Sequence, residues 1–357
     1  MRLHEPISSK PDFREATNLL RGICAFSVLL WHYQHFFLNS NDSQFEITRQ
    51  PFYRLFQIPY TMGSVGVPIF WCISGLILTH SYQNSNPQTL RNFVVSRLSR
   101  LYPLHMITLF AVAALQQVSL RTQGDYLIYG NNDIYHFVLN IFFVQSWGLE
   151  SGRSFNAPSW SVSTEIVVYL IFFYLIKFFS RYKLIGAFLL FVVSAIYSNA
   201  VTPLSNIIFF RDCLKYFLLG VSIFYLTELK LRLVPILGSF FALCLVVWAS
   251  TESQKSHLLL IGSLVSLAAF LDLISLKKIL KPLRLLGELS FSIFLIHVPL
   301  QILIKLIMSR FIIDESIAYE NTFFVAFITL TYLLGYLSFR HIEQPVQRYL
   351  RRKFIRA

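Results

Sequence analysis

The chain has 357 residues and a net charge of +13; 55% of its residues are apolar or aromatic and only 14% are charged, against about 25% charged in an ordinary soluble domain. So few charges beside 35 Phe cannot cover a soluble surface, and composition points to an all-α polytopic membrane protein rather than two soluble domains. The Lys and Arg punctuate apolar runs instead of forming a patch, which argues against nucleic acid as a partner. The four cysteines, Cys24, Cys72, Cys213 and Cys244, lie far apart inside apolar runs. They predict neither a disulfide framework nor a metal site.

A bilayer-crossing helix needs about 20 mostly apolar residues. Such segments fall at roughly 17–38, 62–82, 101–119, 160–180, 183–199, 206–226, 233–250, 257–274, 286–308 and 321–340. The first carries Arg21 and His32 and has no small-residue cleavage site after it, so it reads as a retained helix rather than a signal peptide. An eleventh apolar piece, His136–Trp147, is too short to span. With that piece non-spanning and the N-terminus inside, 22 Lys and Arg fall on the cytoplasmic side and six outside. The expected architecture is about ten transmembrane helices plus one re-entrant or interfacial segment, with both termini cytoplasmic. Residues 1–16 form an N-terminal tail, 17–340 the transmembrane domain and 341–357 a basic C-terminal tail, and the longest outer loops are 39–61 and 120–159.

Ionisable groups in hydrocarbon are costly and mark sites or structural pairs. Arg21 and His32 lie eleven residues apart, nearly on one helix face and separated by about 16 Å along the axis. Arg97 and Arg100 project side by side at the cytoplasmic surface, where paired guanidiniums either bind phosphate or simply set topology. In Asn156-Ala-Pro-Ser-Trp-Ser-Val-Ser-Thr-Glu165, the Asn, Ser and Thr suit a helix start and Trp160 suits an interface. Glu165 is either a first-turn acid or the carboxylate that orients a catalytic His. His297 lies two residues before Pro299, which frees a backbone carbonyl, and His297 is a candidate to satisfy that broken helix. Arg211 and Lys215 form a buried basic pair that either binds an anion or balances Glu165 and Asp212. Glu343, beside Arg340 and His341, reads as a salt-bridge cluster at the end of the last helix.

Taken together the motifs resemble those of the acyltransferase-3 family of membrane O-acyltransferases. They run in order through Leu20-Arg21-Gly22 with the spacing to His32, Gly66-Val-Pro-Ile-Phe70 leading to Ile73-Ser-Gly-Leu-Ile77, Arg97-Leu-Ser-Arg100-Leu-Tyr-Pro103, Pro158-Ser-Trp-Ser-Val-Ser-Thr-Glu165, Gly287 through His297-Val-Pro299, and Ile342-Glu-Gln-Pro345. Thr164 and Pro68-Ile69 depart from the commoner family residues. Some members carry an added extracytoplasmic esterase-like domain, which is not expected in these 357 residues.

The resemblance implies transfer of an acyl group, usually acetyl, from cytoplasmic acyl-CoA to a hydroxyl of an extracytoplasmic or lipid-linked carbohydrate. Exopolysaccharide and O-antigen are examples of such acceptors, and the setting is a bacterial inner membrane. Acyl-CoA is then a co-substrate, and no bound cofactor or metal is expected. His32 is expected to act as general base or as a transient acyl carrier, with Glu165 orienting it. Arg97, Arg100 and Arg21 are expected to hold the CoA phosphates, while His297, Ser161, Trp160 and Arg211 line or support the path. The rival from another class is a secondary transporter for a glycolipid or organic anion.

Overall fold

A computed structural model describes residues 15–37, 45–83, 89–200, 208–228, 255–273 and 281–355. In chain order the helices are α1 (Glu15–Trp31), which tightens into a 3₁₀ turn at His32–Phe36, α2 (Tyr53–Met62), α3 (Gly66–Tyr82), α4 (Leu90–Gln123), α5 (Ile134–Ile141), α6 (Trp160–Ala200), α7 (Ile208–Glu228), α8 (Lys255–Leu273), α9 (Arg284–Glu288), α10 (Ser290–Arg310), α11 (Asn321–Ser338) and α12 (Gln344–Phe354). The described residues contain no strand.

Among them, five helical stretches are long and apolar enough to cross a membrane: Tyr53–Tyr82, Leu90–Gln123, Ala157–Ile196, Ser290–Arg310 and Asn321–Phe354. The expected segment 233–250 lies outside the described residues. The expected pair 160–180 and 183–199 is joined in α6, with the backbone breaking at Lys183, where φ is 46°. The short apolar piece becomes α5, which has eight residues and stops at Ile141. At 1.5 Å per residue that covers about 12 Å, well short of a hydrocarbon core. Residues 341–357, expected as a tail, contain α12, which packs against α4.

The pattern of exposure is that of a membrane bundle. Phe110, Ile185, Phe188, Leu189, Val193 and Leu333 point outward, where lipid accepts them. His105, Gln116, Asn140, Asn156 and Ser163 are turned inward and buried. With no water in hydrocarbon to serve them, polar groups must be satisfied by one another.

The first helix is the hub, packed against α2, α3, α8, α9 and α10. Its first-turn amides are capped from another helix. Asp272 on α8 accepts the N–H groups of Glu15 at 3.0 Å, Ala16 at 2.8 Å and Thr17 at 3.2 Å, and the Thr17 hydroxyl at 3.3 Å. At the other end, Lys305 on α10 donates to the carbonyls of His35 (3.2 Å) and Phe36 (3.1 Å) and pairs with Glu315 at 3.3 Å. A carboxylate at the N-terminus and an ammonium at the C-terminus both complement the helix dipole. Along the helix, Gly287 lies so close to the backbone of Asn18 that a β-carbon there would collide with it. This contact sets α9 directly on α1 and explains why that motif position holds a glycine.

Candidate active site

Three of the sequence-singled arginines meet in one place. Arg21 from α1 and Arg97 and Arg100 from α4 line a cavity of about 100 Å³ with Ser74, Trp71, Ser161, Glu165, Tyr169 and Ser290. Arg97 is steadied by Ser96 Oγ at 3.2 Å and lies 5.8 Å over the ring of Tyr82. Arg351 on α12 stands within electrostatic reach of both Arg97 and Arg100, so the C-terminal segment expected as a tail brings a fourth basic group near the cavity. Arginine suits multiply charged phosphate because its planar fork bonds two oxygens at once.

Glu165 belongs to this arginine cavity. Ser74 and Tyr169 share the cavity with its carboxylate, the Tyr169 hydroxyl donating to Ser74 Oγ at 3.5 Å, and Arg100 and Arg21 act on it electrostatically. One carboxylate oxygen is buried with no hydrogen-bond partner. Glu165, expected to orient His32, thus stands on the arginine cavity, under the electrostatic influence of Arg100 and Arg21, with no contact to the His32 ring among those described. Helical periodicity had put Arg21 and His32 on one face but carried no information on which of them α6 would meet. Ser161 lines the same cavity, and its carbonyl accepts Trp71 Nε1 at 3.4 Å. Trp160 packs edge-on against Trp71 at 5.7 Å and lies under Arg153 at 4.5 Å. Arg211 stands outside the cavity lining, on the first turn of α7, and Lys215 pairs with Asp212 at 2.8 Å, one of the two acids it was expected to balance.

The groups around the His32 ring are Trp31, His35 and His297, with centroids 4.7, 5.0 and 4.9 Å away. His32 Nδ1 bonds the Val28 carbonyl at 2.9 Å and His297 Nδ1 bonds the Ile293 carbonyl at 3.0 Å. A carbonyl only accepts, so each ring carries its proton on Nδ1 and offers the Nε2 lone pair. His297 Nε2 is buried without a hydrogen-bond partner. The two buried rings thus each present an unprotonated nitrogen. His35 continues the cluster to Gln301 Oε1 (3.2 Å) and to the Tyr129 hydroxyl (3.2 Å), while Gln301 Nε2 donates to the His32 carbonyl at 2.9 Å. Among the described residues, no group of three His, Cys, Asp or Glu is arranged to hold a metal.

Phe294 connects the two regions, lining the arginine cavity and lying 6.3 Å from His297. Pro299 frees the carbonyl of Leu295, and Asn156 Nδ2 takes it at 2.9 Å, also bonding Thr108 Oγ1 at 2.9 Å. Asn156, expected as a helix cap, therefore does the work expected of His297 and leaves the His297 ring available. Glu343 is not held by a helix-end salt bridge. It accepts the hydroxyls of Ser292 and Ser338 and so ties the turn after α11 to α10.

Comparison with known proteins gives the family. A family model described as an acyltransferase domain matches residues 14–340. The chain belongs to the acyltransferase-3 family. It is 34% identical over 114 residues to the acyltransferase MdmB of Streptomyces mycarofaciens, covering 31% of this chain and 28% of that protein. It is 24% identical over 340 residues to the peptidoglycan O-acetyltransferase OatA of Listeria monocytogenes, covering 80% and 51%. With the O-acetyltransferase OatA of Staphylococcus aureus the identity is 25% over 332 residues, covering 80% and 53%. The chain thus spans about half the length of the OatA proteins it matches, and less of MdmB. No solved structure matches it.

Proposed function

We propose that this acyltransferase moves an acyl group, acetyl by preference, from cytoplasmic acyl-CoA to a hydroxyl of an extracytoplasmic or lipid-linked carbohydrate. The observation that carries the reading is the placement of the arginine cavity and the paired histidines around Phe294, which lines the first and lies 6.3 Å from His297. The CoA phosphates bind at Arg97, Arg100 and Arg21, and the thioester reaches past Phe294 to His32. His32 Nε2 takes the proton of the acceptor hydroxyl as its oxygen bonds to the acyl carbon. The carbon–sulfur bond then breaks and the proton passes on to the leaving thiolate. Glu165 positions the arginines. The names of the relatives support acetyl as the group and a wall or surface glycan as the acceptor. In this reading about ten helices cross a bacterial inner membrane with both termini inside, which puts Arg97 and Arg100 on the CoA side.

The test compares O-acyl content of the host's surface glycans in wild type, a deletion and His32→Ala at equal expression. Loss of ester in both mutants is expected. Retention in His32→Ala would remove His32 from the mechanism, and unchanged glycans in the deletion would remove the transferase reading and favour transport. Isolation of an acyl-histidine from labelled acyl-CoA without acceptor would replace the general-base step by a covalent one.

A further inference from the structure

The segment between α4 and α6 holds a second cluster that the His32 site does not use. Asp133 caps α5, accepting the backbone N–H of His136 at 2.9 Å, and the same oxygen meets ring Nδ1 at 2.9 Å. With Nδ1 donating to a carboxylate, Nε2 holds the lone pair. That nitrogen faces Ser151 Oγ at 3.2 Å and receives the Ser151 backbone N–H at 3.4 Å. The His136 ring is 3% exposed, whereas Ser151 is open to solvent.

The surroundings hold this geometry in place. Asn140 Nδ2 bonds the His136 carbonyl at 2.9 Å, the Tyr135 hydroxyl bonds the Leu149 carbonyl at 2.8 Å, and Trp147 Nε1 bonds the Ser163 carbonyl at 3.1 Å. The residue after Ser151 is Gly152, and a side chain there would run into the amide nitrogen of Asn131. The glycine thus leaves room for the Asn131 amide against residue 152. A merely structural pin needs neither an exposed hydroxyl nor that donor.

Carboxylate, imidazole and hydroxyl in this order are the parts of an activated serine, recognised by geometry rather than by position in a chain. We propose that Ser151 is a nucleophile that takes up short acyl groups from activated esters, with His136 as its base, Asp133 as the orienting carboxylate and the Asn131 amide as donor to the acyl oxygen. Ser151 Oγ bonds to the acyl carbon as the bond to the leaving alcohol or thiol breaks. The hydroxyl proton moves to His136 Nε2 and from there to the leaving group. Water or a sugar hydroxyl then attacks acyl-Ser151, gives its proton to Nε2, and the serine oxygen recovers one as it departs. Asp133 has a side chain 57% exposed, so two hydrogen bonds rather than burial fix it, and turnover is expected to be slow. The arginines of α4 lie near its start, and none of Asp133, His136 and Ser151 lines their cavity. The inference does not depend on the CoA reading.

The full chain, purified in detergent, is exposed to a fluorophosphonate probe and, separately, to p-nitrophenyl acetate, and the modified peptides are mapped by mass spectrometry. An adduct on Ser151 is expected, absent in Ser151→Ala. In His136→Gln the labelling rate should fall by about 10²-fold or more. Asp133→Asn, at the surface and therefore least damaging to folding, should slow labelling by about tenfold while leaving the melting temperature near wild type. Wild-type protein that melts cooperatively yet carries no Ser151 adduct would overturn the proposal. So would a labelling rate unchanged in both the His136 and Asp133 variants. The probes need neither acyl-CoA nor glycan, so their failure leaves the His32 reading standing.

Discussion

Replacing Asp272 tests whether a side chain from α8 holds the helix that carries Arg21 and His32. Its carboxylate serves three backbone N–H groups and one hydroxyl, at 2.8 to 3.3 Å, and is itself 3% exposed. In Asp272→Ala all three amides lose their acceptor in a site where Glu15, Ala16 and Thr17 are 8%, 4% and 0% exposed. Each buried, unpaired donor costs about 1–3 kcal/mol. Relaxation of the first turn recovers part of that, leaving an expected loss of about 3–5 kcal/mol. Asp272→Asn keeps one oxygen for Glu15 and Ala16 but turns an NH₂ toward Thr17, so its loss should be about 1–2 kcal/mol. Denaturant titration in a fixed detergent, followed by circular dichroism, reads both. A loss below about 1 kcal/mol in Asp272→Ala would show that packing alone positions α1, and the clamp argument would fall.

Asn156→Ala strands the Leu295 carbonyl that Pro299 has freed, and a loss of about 1–3 kcal/mol in the same titration is expected; Asn156→Asp, unable to donate to that carbonyl, should not rescue it. Arg97→Ala and Arg100→Ala should each raise KM for acyl-CoA by roughly tenfold to a hundredfold, in line with the loss of about 1.5–3 kcal/mol per charged hydrogen bond; a change confined to kcat would place them outside donor binding. Burial raises the Glu150 carboxyl to about 7 against the opposing pull of Arg153 and His136. Its folded value lies above the unfolded one, so the native state holds the extra proton and stability declines as pH rises from about 4.5 through 7. Melting curves across that range should flatten in Glu150→Gln, and an unchanged slope would refute the assignment.

The apolar segments and the order of the motifs were legible because hydropathy and charge asymmetry are properties of the chain alone. Depth and partner choice were not. Glu165 was expected beside His32, yet α6 delivers it to Arg21, eleven residues earlier on the same face of the first helix. A periodicity argument ranks faces and is silent on the height at which a second helix crosses. Similarly, Pro299 announced a freed carbonyl, but the residue that satisfies it, Asn156, comes from 139 positions earlier in the chain. The helix α4 begins at Leu90 and runs through Arg97, Arg100 and Pro103, beyond the apolar window of 101–119, because a hydropathy window stops where charges begin although the helix does not. Asp272 was within reach of the same rule that flagged Glu165, being an acid inside an apolar segment. The contact between His136 and Ser151 left no sequence signal, since a nucleophile and its base are joined only by the fold.

The two clamps on α1 also set an order of events. Ala16 precedes Asp272 by 256 residues and His35 precedes Lys305 by 270. At a synthesis rate of about 5–20 residues per second, the first helix waits roughly 13 to 50 s for its ends to be claimed. During that interval neither end of the helix has its side-chain clamp. When α8 and α10 arrive, a carboxylate takes hold of one end and an ammonium of the other, which fixes the level of His32 relative to His297. The helix made first is thus held at both ends only once residue 305 has been made, and a ribosome stalled before residue 272 leaves a membrane-inserted chain whose histidines have not yet met.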